Sequence, residues 1–343
     1  MPAVTASLAM LFRITIVAVL CLGLFGAAAR RWAVPRAVYL AASHATACSL
    51  RETVSGVQRR LDLDHRRRDV ESTVQRVRQE ERLELWNTPL GEFWNPAGND
   101  LPFLLAEQMR GDYESGSVVL RHGDIILDCG ANVGLFTRRA LLRGAALVVA
   151  VEPSPANEDC LRRTFARDIA DGRVIVYPKG LWYRDDHLEM NIFGNSALDS
   201  FVLSVRPETA LTPRKVRLPL TTIDKLVAEL NLPRIDFIKM DIEGAERNAL
   251  RGAAETLRRF RPRLGLALEN LPDDPVILPN LIKSLQPGYQ FLPGPCECWD
   301  FVAPTSATSS RLPNDSGSTL STCSSINPLT LPSSSAASSS APF

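Results

Sequence analysis

The 343 residues are 45% hydrophobic and 22% charged, with 39 lysines and arginines against 38 aspartates and glutamates and a formal net charge of +1. So even a balance leaves no global field to draw in nucleic acid, and the length allows one or two domains. The seven cysteines include no Cys-x-x-Cys pair, and Cys296 and Cys298 stand one residue apart without a histidine pair, so neither a mutual disulfide nor a metal site is expected.

At the amino end, Ile14 to Ala29 is an uninterrupted apolar and small-residue run between Arg13 and Arg30-Arg31. It falls short of the ~20 residues of a membrane helix unless Leu8 to Phe12 extend it and Arg13 reaches for the headgroups. Residues 1–31 are therefore expected to be a single-pass anchor or uncleaved signal, which would place the protein on a membrane of the secretory pathway. Ala27-Ala28-Ala29 also offers a small-residue cleavage site, and no acidic residue precedes Glu52. A cleaved signal and an organellar transit peptide stand second and third.

Residues 32–85 form an Arg-rich stem. Leu50, Val54, Val57 and Leu61, then Val70, Val74 and Val77, recur at spacings that predict an amphipathic helix over 50–85. The Arg66-Arg67-Arg68 run reads as its solvated face.

The core domain is expected over 86–303, as alternating strands and helices. The first predicted strand, Ile125 to Cys129, empties into Asp128-Cys-Gly-Ala-Asn-Val-Gly134 and a helical pattern of Leu135, Phe136, Ala140 and Leu141. That is the opening of a nucleotide-binding βαβ unit. A second strand, Leu147 to Glu152, ends on the carboxylate that such folds offer to ribose hydroxyls. A dinucleotide turn needs Gly-x-Gly-x-x-Gly to bring the backbone against a pyrophosphate. Here Asn132 holds the middle position, and Asp128 would repel a diphosphate. A ligand with a cationic centre and an amino group suits such a turn, so S-adenosylmethionine is favoured over NAD.

Strand three is Val174 to Tyr177, followed by extended stretches at Leu188 to Phe193 and Val216 to Leu220. Thr221 and Asp224 then cap a helix through Leu230. Phe237 to Asp241 is strand four, Gly244 to Gly252 open its helix, and Arg263 to Glu269 is strand five. Tyr289 to Leu292 with Trp299 to Val302 make a terminal hairpin. The predicted fold is α/β, a doubly wound, mostly parallel, seven-stranded Rossmann-like sheet with a late antiparallel strand. Its ligand would lie at the switch point between strands one and four, where Asp128, Glu152, Asp241 and Glu269 share one rim. From Pro304 the composition turns to Ser, Thr, Pro and Ala, so residues 304–343 are expected to be a disordered tail. Asn314-Asp315-Ser316 within it is a glycosylation sequon.

Three blocks stand out together: Asp128 to Gly134, Val151 to Asn157 (VEPSPAN), and Ile238 to Glu246 (IKMDIEGAE). With Tyr113-Glu114 upstream and Leu220-Thr-Thr-Ile-Asp224 before the last block, the chain resembles the FkbM-type S-adenosylmethionine-dependent methyltransferases over roughly residues 105 to 270. The resemblance implies a class I methyltransferase fold and transfer to hydroxyls of sugars and secondary metabolites. It also places the adenine near Lys179-Gly180-Leu181.

In the donor site, Gly130 and Gly134 would let the backbone pass close to the methionine part. Asp128 would sit near the ammonium, directly or through water, and Asn132 would offer its amide to the carboxylate. Glu152 would take both ribose hydroxyls, with Pro153 fixing the turn behind it. A hydroxyl acceptor needs its proton removed as the new bond forms. Asp241 is the first candidate base, with Glu243 and Lys239 second. Lys239 lies two residues before Asp241 on the same strand face, and an ion pair between them would weaken the aspartate as a base. Equally open is an Asp241 that positions a ligand without exchanging a proton. His44 and His65 lie outside the domain, His122 precedes strand one, and His187 reads as a surface residue. The partners expected are a small-molecule or glycan acceptor and a membrane. Two other readings remain: a membrane-tethered scaffold that retains the fold without catalysis, and a nicotinamide-dependent oxidoreductase.

Overall fold

The computed structural model describes residues 32–42, 50–111, 113–114, 116–192, 214–268, 270–271, 273–293 and 326–328. The chain divides into two units, residues 1–65 with 295–324 and residues 66–294 with 325–343. Within the first, helix α1 (Ala33–Ala42) buries Ala33 and Ala37 with Val57 of α2 (Leu50–Thr73), beside the partly buried Val54 and Leu61. Among the described residues no helix is long and apolar enough to cross a membrane. The Ile14–Ala29 run lies outside them.

The stem helix ends at Thr73, not near residue 85. Strands β1 (Gln75–Glu80), β2 (Leu83–Thr88) and β3 (Gly91–Pro96) follow as an antiparallel meander. The chain reverses at Glu81, whose φ is +48, and again where the Thr88 hydroxyl donates to Gly91 O and accepts from Leu90 N. Residues of β3 then anchor the meander through Phe93 and Trp94, both buried.

Helix α3 (Leu101–Arg110) leads to β4 (Ile125–Cys129) and α4 (Leu135–Leu142). After these come β5 (Leu147–Val151), α5 (Pro155–Thr164), α6 (Ala166–Ala170) and β6 (Val174–Tyr177). Short β7 (Gly180–Leu181) precedes β8 (Asp186–Ile192) and β9 (Arg214–Thr221). Helix α7 (Ile223–Glu229), β10 (Phe237–Met240), α8 (Glu246–Arg251), α9 (Ala254–Phe260), β11 (Arg263–Leu266), α10 (Asp274–Leu285), β12 (Phe291–Pro293) and β13 (Ile326–Pro328) complete the order.

The main sheet runs β12-β13-β11-β10-β4-β5-β6. From β11 to β6 all neighbours are parallel, and β13 pairs antiparallel with both β11 and β12. The parallel strands are short apolar runs because both faces are covered. Ile125, Leu127 and Cys129 of β4 enter one core with residues of α7 to α10, while Ile126 enters the other with Phe136 and Ala140 of α4. The chain leaves β4 toward β5 on one side and reaches β10 on the other. That reversal opens a crevice at the carboxyl ends of β4 and β10, where open α/β sheets bind ligands.

A second sheet, β7-β9-β8, pairs the two extended stretches antiparallel; Phe193 lies outside the described residues. The cap of α7 is Thr222, whose side chain accepts from Lys225 N, not Thr221. Thr221 instead donates to Asp185. Asp224 accepts from Glu255 N and from the amide and hydroxyl of Thr256, so it serves the start of α9 and not its own helix. Strand β12 pairs antiparallel with β13, and the second half of the predicted hairpin, Trp299 to Val302, falls outside the described residues. So do Glu269, Cys296, Cys298 and most of the Ser/Thr-rich tail, apart from Ile326–Pro328.

Candidate active site

The turn after β4 is bound to the end of β5. Gly130 N and Ala131 N both donate to Val151 O, at 3.0 and 3.1 Å. Asn132 adopts φ +50, a left-handed conformation that asparagine tolerates because its side chain can bond locally. Here Asn132 Oδ1 accepts from Val133 N at 2.8 Å, so the carbonyl half of its amide is committed to the turn. Gly130, at φ +78, is required twice over: an added Cβ would stand 1.8 Å from the main-chain oxygen of Asp241. Gly134, at φ +89, also serves packing. A Cβ there would stand 2.3 Å from Phe165 Cε2 and 2.8 Å from Leu161 Cδ2, so this glycine lets α4 start against α5.

Glu152, 5% exposed, grips the turn from the end of β5. Its Oε2 accepts from Asn132 N and its Oε1 from Ser154 N, each at 2.9 Å. Pro153 sits half-buried between the two contacts. A buried acid beside a glycine turn fits the ribose and methionine ends of S-adenosylmethionine.

Asp128 is placed otherwise than expected. It is 0% exposed, accepts from the Thr137 hydroxyl at 2.6 Å and lies 3.5 Å from Lys239 Nζ. The parallel register sets Lys239 beside Asp128, which explains the pairing. Asp128 therefore holds a buried cation inside the protein. Lys239 also donates to Gly130 O at 2.6 Å, tying β10 to the glycine turn. Burial works to lower its pKa, and the carboxylates of Asp128 and Asp241 more than offset this, holding it above its ordinary value. A lysine in its charged form has no lone pair with which to accept a proton. The expected contact pair of Lys239 with Asp241 is replaced as well.

Asp241, half-buried just past β10, takes a hydrogen bond at Oδ2 from the Tyr113 hydroxyl at 2.6 Å. Its amide donates to Cys129 O at 3.1 Å, which fixes the backbone beside the Gly130 turn. Glu243 follows at φ +52 and Gly244 at φ +95, making the tight reversal into α8. The side chain of Leu181, 3% exposed, belongs to the apolar core. Any adenine contact at that segment falls to the main chain or its neighbours. His187 is exposed on β8, as read from the sequence.

Sequence reasoning passed over Glu246. It is 0% exposed, and its Oε1 accepts from Ile242 N and Asn270 Nδ2, each at 2.9 Å. It thus ties the turn after Asp241 to the segment after β11. An acid in the first turn of a helix usually reads as a dipole partner, which hides the burial. Burial pushes this carboxyl up from 4.5 to about 8, and the charges of Asp241 and Asp274 add to the rise.

A folded-state pKa above the unfolded one means the native state holds the extra proton between those values. Stability is then fully present below about pH 4.5 and is lost as pH rises toward 8. Glu246→Gln removes the titration. In urea unfolding at pH 5, 7 and 9, its stability relative to wild type should climb steadily with pH. A difference that does not change with pH would show that the carboxyl titrates normally.

Residues 128–282 match the Methyltransferase FkbM domain. Among curated proteins, the chain is 27% identical over 171 residues to 31-O-demethyl-FK506 methyltransferase FkbM of Streptomyces tacrolimicus, covering 42% of this chain and 64% of that protein. It is 30% identical over 156 residues to Methyltransferase sdnD of Sordaria araneosa, covering 38% and 60%. The chain therefore spans less than two thirds of either relative. Among solved structures, Methyltransferase FkbM from Methylobacillus flagellatus KT aligns at 21% identity and a TM-score of 0.39, over 56% of this chain and 49% of that one.

Proposed function

We propose that this chain, whose residues 128–282 match the Methyltransferase FkbM domain, moves a methyl group from S-adenosylmethionine to a hydroxyl. The acceptor is a sugar-containing or other small molecule. What carries this reading is the crevice between β4 and β10, where Glu152 and the Gly130 turn meet Asp241. The name of the Streptomyces relative describes a methylation at oxygen, which supports a hydroxyl acceptor.

Bound there, the donor supplies an activated methyl on a sulfonium. The protein's work is to align acceptor oxygen and methyl and to exclude water. As the new carbon–oxygen bond forms, the carbon–sulfur bond breaks and sulfur keeps its electron pair. The acceptor's proton passes to Asp241. Glu152 and the Gly130 turn shape the donor's place, while Lys239 and Asp128 hold the turn. The apolar run at residues 14–29 would attach the enzyme to a membrane of the secretory pathway, and a glycan acceptor fits that location.

Calorimetric titration of S-adenosylhomocysteine into the full-length chain is expected to show micromolar binding, with no heat from NAD. Folded protein that ignores S-adenosylhomocysteine would sink the proposal, and binding of NAD in its place would favour nicotinamide chemistry.

A further inference from the structure

We propose that Tyr113 is the positioning residue for Asp241, turning it so that one oxygen is left for the acceptor hydroxyl. This rests on the reading of Asp241 as the base.

Four features of the fold converge on Tyr113. Its hydroxyl donates to Asp241 Oδ2 at 2.6 Å across 128 positions of sequence. Its ring stands edge-on against Phe136 of α4, with centroids 5.9 Å apart at 89°. Lys239 Nζ lies 5.2 Å from the ring centroid, so the one lysine that pins the glycine turn also faces this aromatic. Finally, β11 makes room for it: a Cβ on Gly265 would come within 2.8 Å of Tyr113 O and 2.9 Å of its Cβ. A tyrosine packed on three sides is aimed, because its hydroxyl can swing only in the plane the packing leaves.

The chemistry follows from which oxygen is used. Tyr113 occupies Oδ2, and among the described residues no hydrogen bond is made to Oδ1. Tyr113 thus fixes which oxygen meets the substrate.

The test is Tyr113→Phe, which keeps the ring on Phe136 and removes only the hydroxyl, combined with Asp241→Asn in a double-mutant cycle. We expect kcat to fall about ten- to a hundredfold, the range for loss of one hydrogen bond to a charged group. Affinity for S-adenosylhomocysteine should stay within about twofold, and the substitution should have little further effect in the Asp241→Asn background. An equal loss in both backgrounds would overturn the proposal even if the enzyme is a methyltransferase. A fully active Asp241→Asn enzyme would instead overturn the base assignment, and the role of Tyr113 with it. Should the phenylalanine variant melt early, Tyr113→His with a donor retained at that position distinguishes lost packing from a lost hydrogen bond. Recovery of kcat by histidine supports the proposal.

Discussion

Asp241→Asn is expected to lower kcat by about 10²- to 10⁴-fold, the usual contribution of a positioned base, with S-adenosylhomocysteine affinity nearly unchanged. The separation follows from where the contacts lie. In the proposed site Glu152 and the Gly130 turn would hold the donor, while Asp241 joins that region through its main chain, by way of the Cys129 carbonyl. An amide keeps the shape and still accepts from Tyr113, but it cannot take a proton. Single-turnover kinetics with saturating donor, set beside a binding isotherm, read the two quantities apart. Loss of donor binding in step with turnover would place Asp241 in the donor site and leave the base to be found elsewhere.

Gly130→Ala should destabilise the fold by about 3–5 kcal/mol, from overpacking and the left-handed backbone together. The clash is with the main-chain oxygen of Asp241, 1.8 Å from the new methyl. Main chain at the end of a buried parallel strand has nowhere to retreat, since Asp241 N is already bonded to Cys129 O. Urea unfolding measures the cost, and a loss below about 1 kcal/mol would mean that the crevice is wider than described. Gly91, where an added Cβ meets nothing within 4 Å, is the control for backbone strain without collision.

The elements that sequence reveals best here are those whose whole length is buried. The strands β4, β5, β6 and β10 are runs of Val, Ile, Leu and Phe with covered faces, and they were legible as such. The meander was hidden for the opposite reason. Gln75–Glu80 is exposed along almost its entire length, so it carries no alternation, and Val74 and Val77 prolong the helical spacing of α2 by coincidence. The better clue lay in Phe93 and Trp94, large residues between two turns. Within the site, Gly130 and Asn132 were legible because a left-handed turn is a local demand. The partner of Lys239 was not, because choosing Asp128 over Asp241 depends on the register of two strands more than a hundred residues apart. The place of Glu152 at the end of β5 was legible, but its hold on the turn through Asn132 N and Ser154 N was not.

The meander also bears on how the domain can be moved or trimmed. The stretch that matches the family begins at residue 128, yet the body of the protein is closed by residues well before it. Trp94 N donates to the Thr164 hydroxyl, and guanidiniums of Arg78 and Arg163 lie against the Trp94 ring at 5.0 and 4.9 Å. Phe93 meets Phe165 edge-on, on the same ring that Gly134 needs close. A chimera grafted at residue 128 would inherit the glycine turn but leave its supporting ring bare. The inherited unit and the self-supporting unit are different lengths of chain, and the seam for any transplant lies before Gln75.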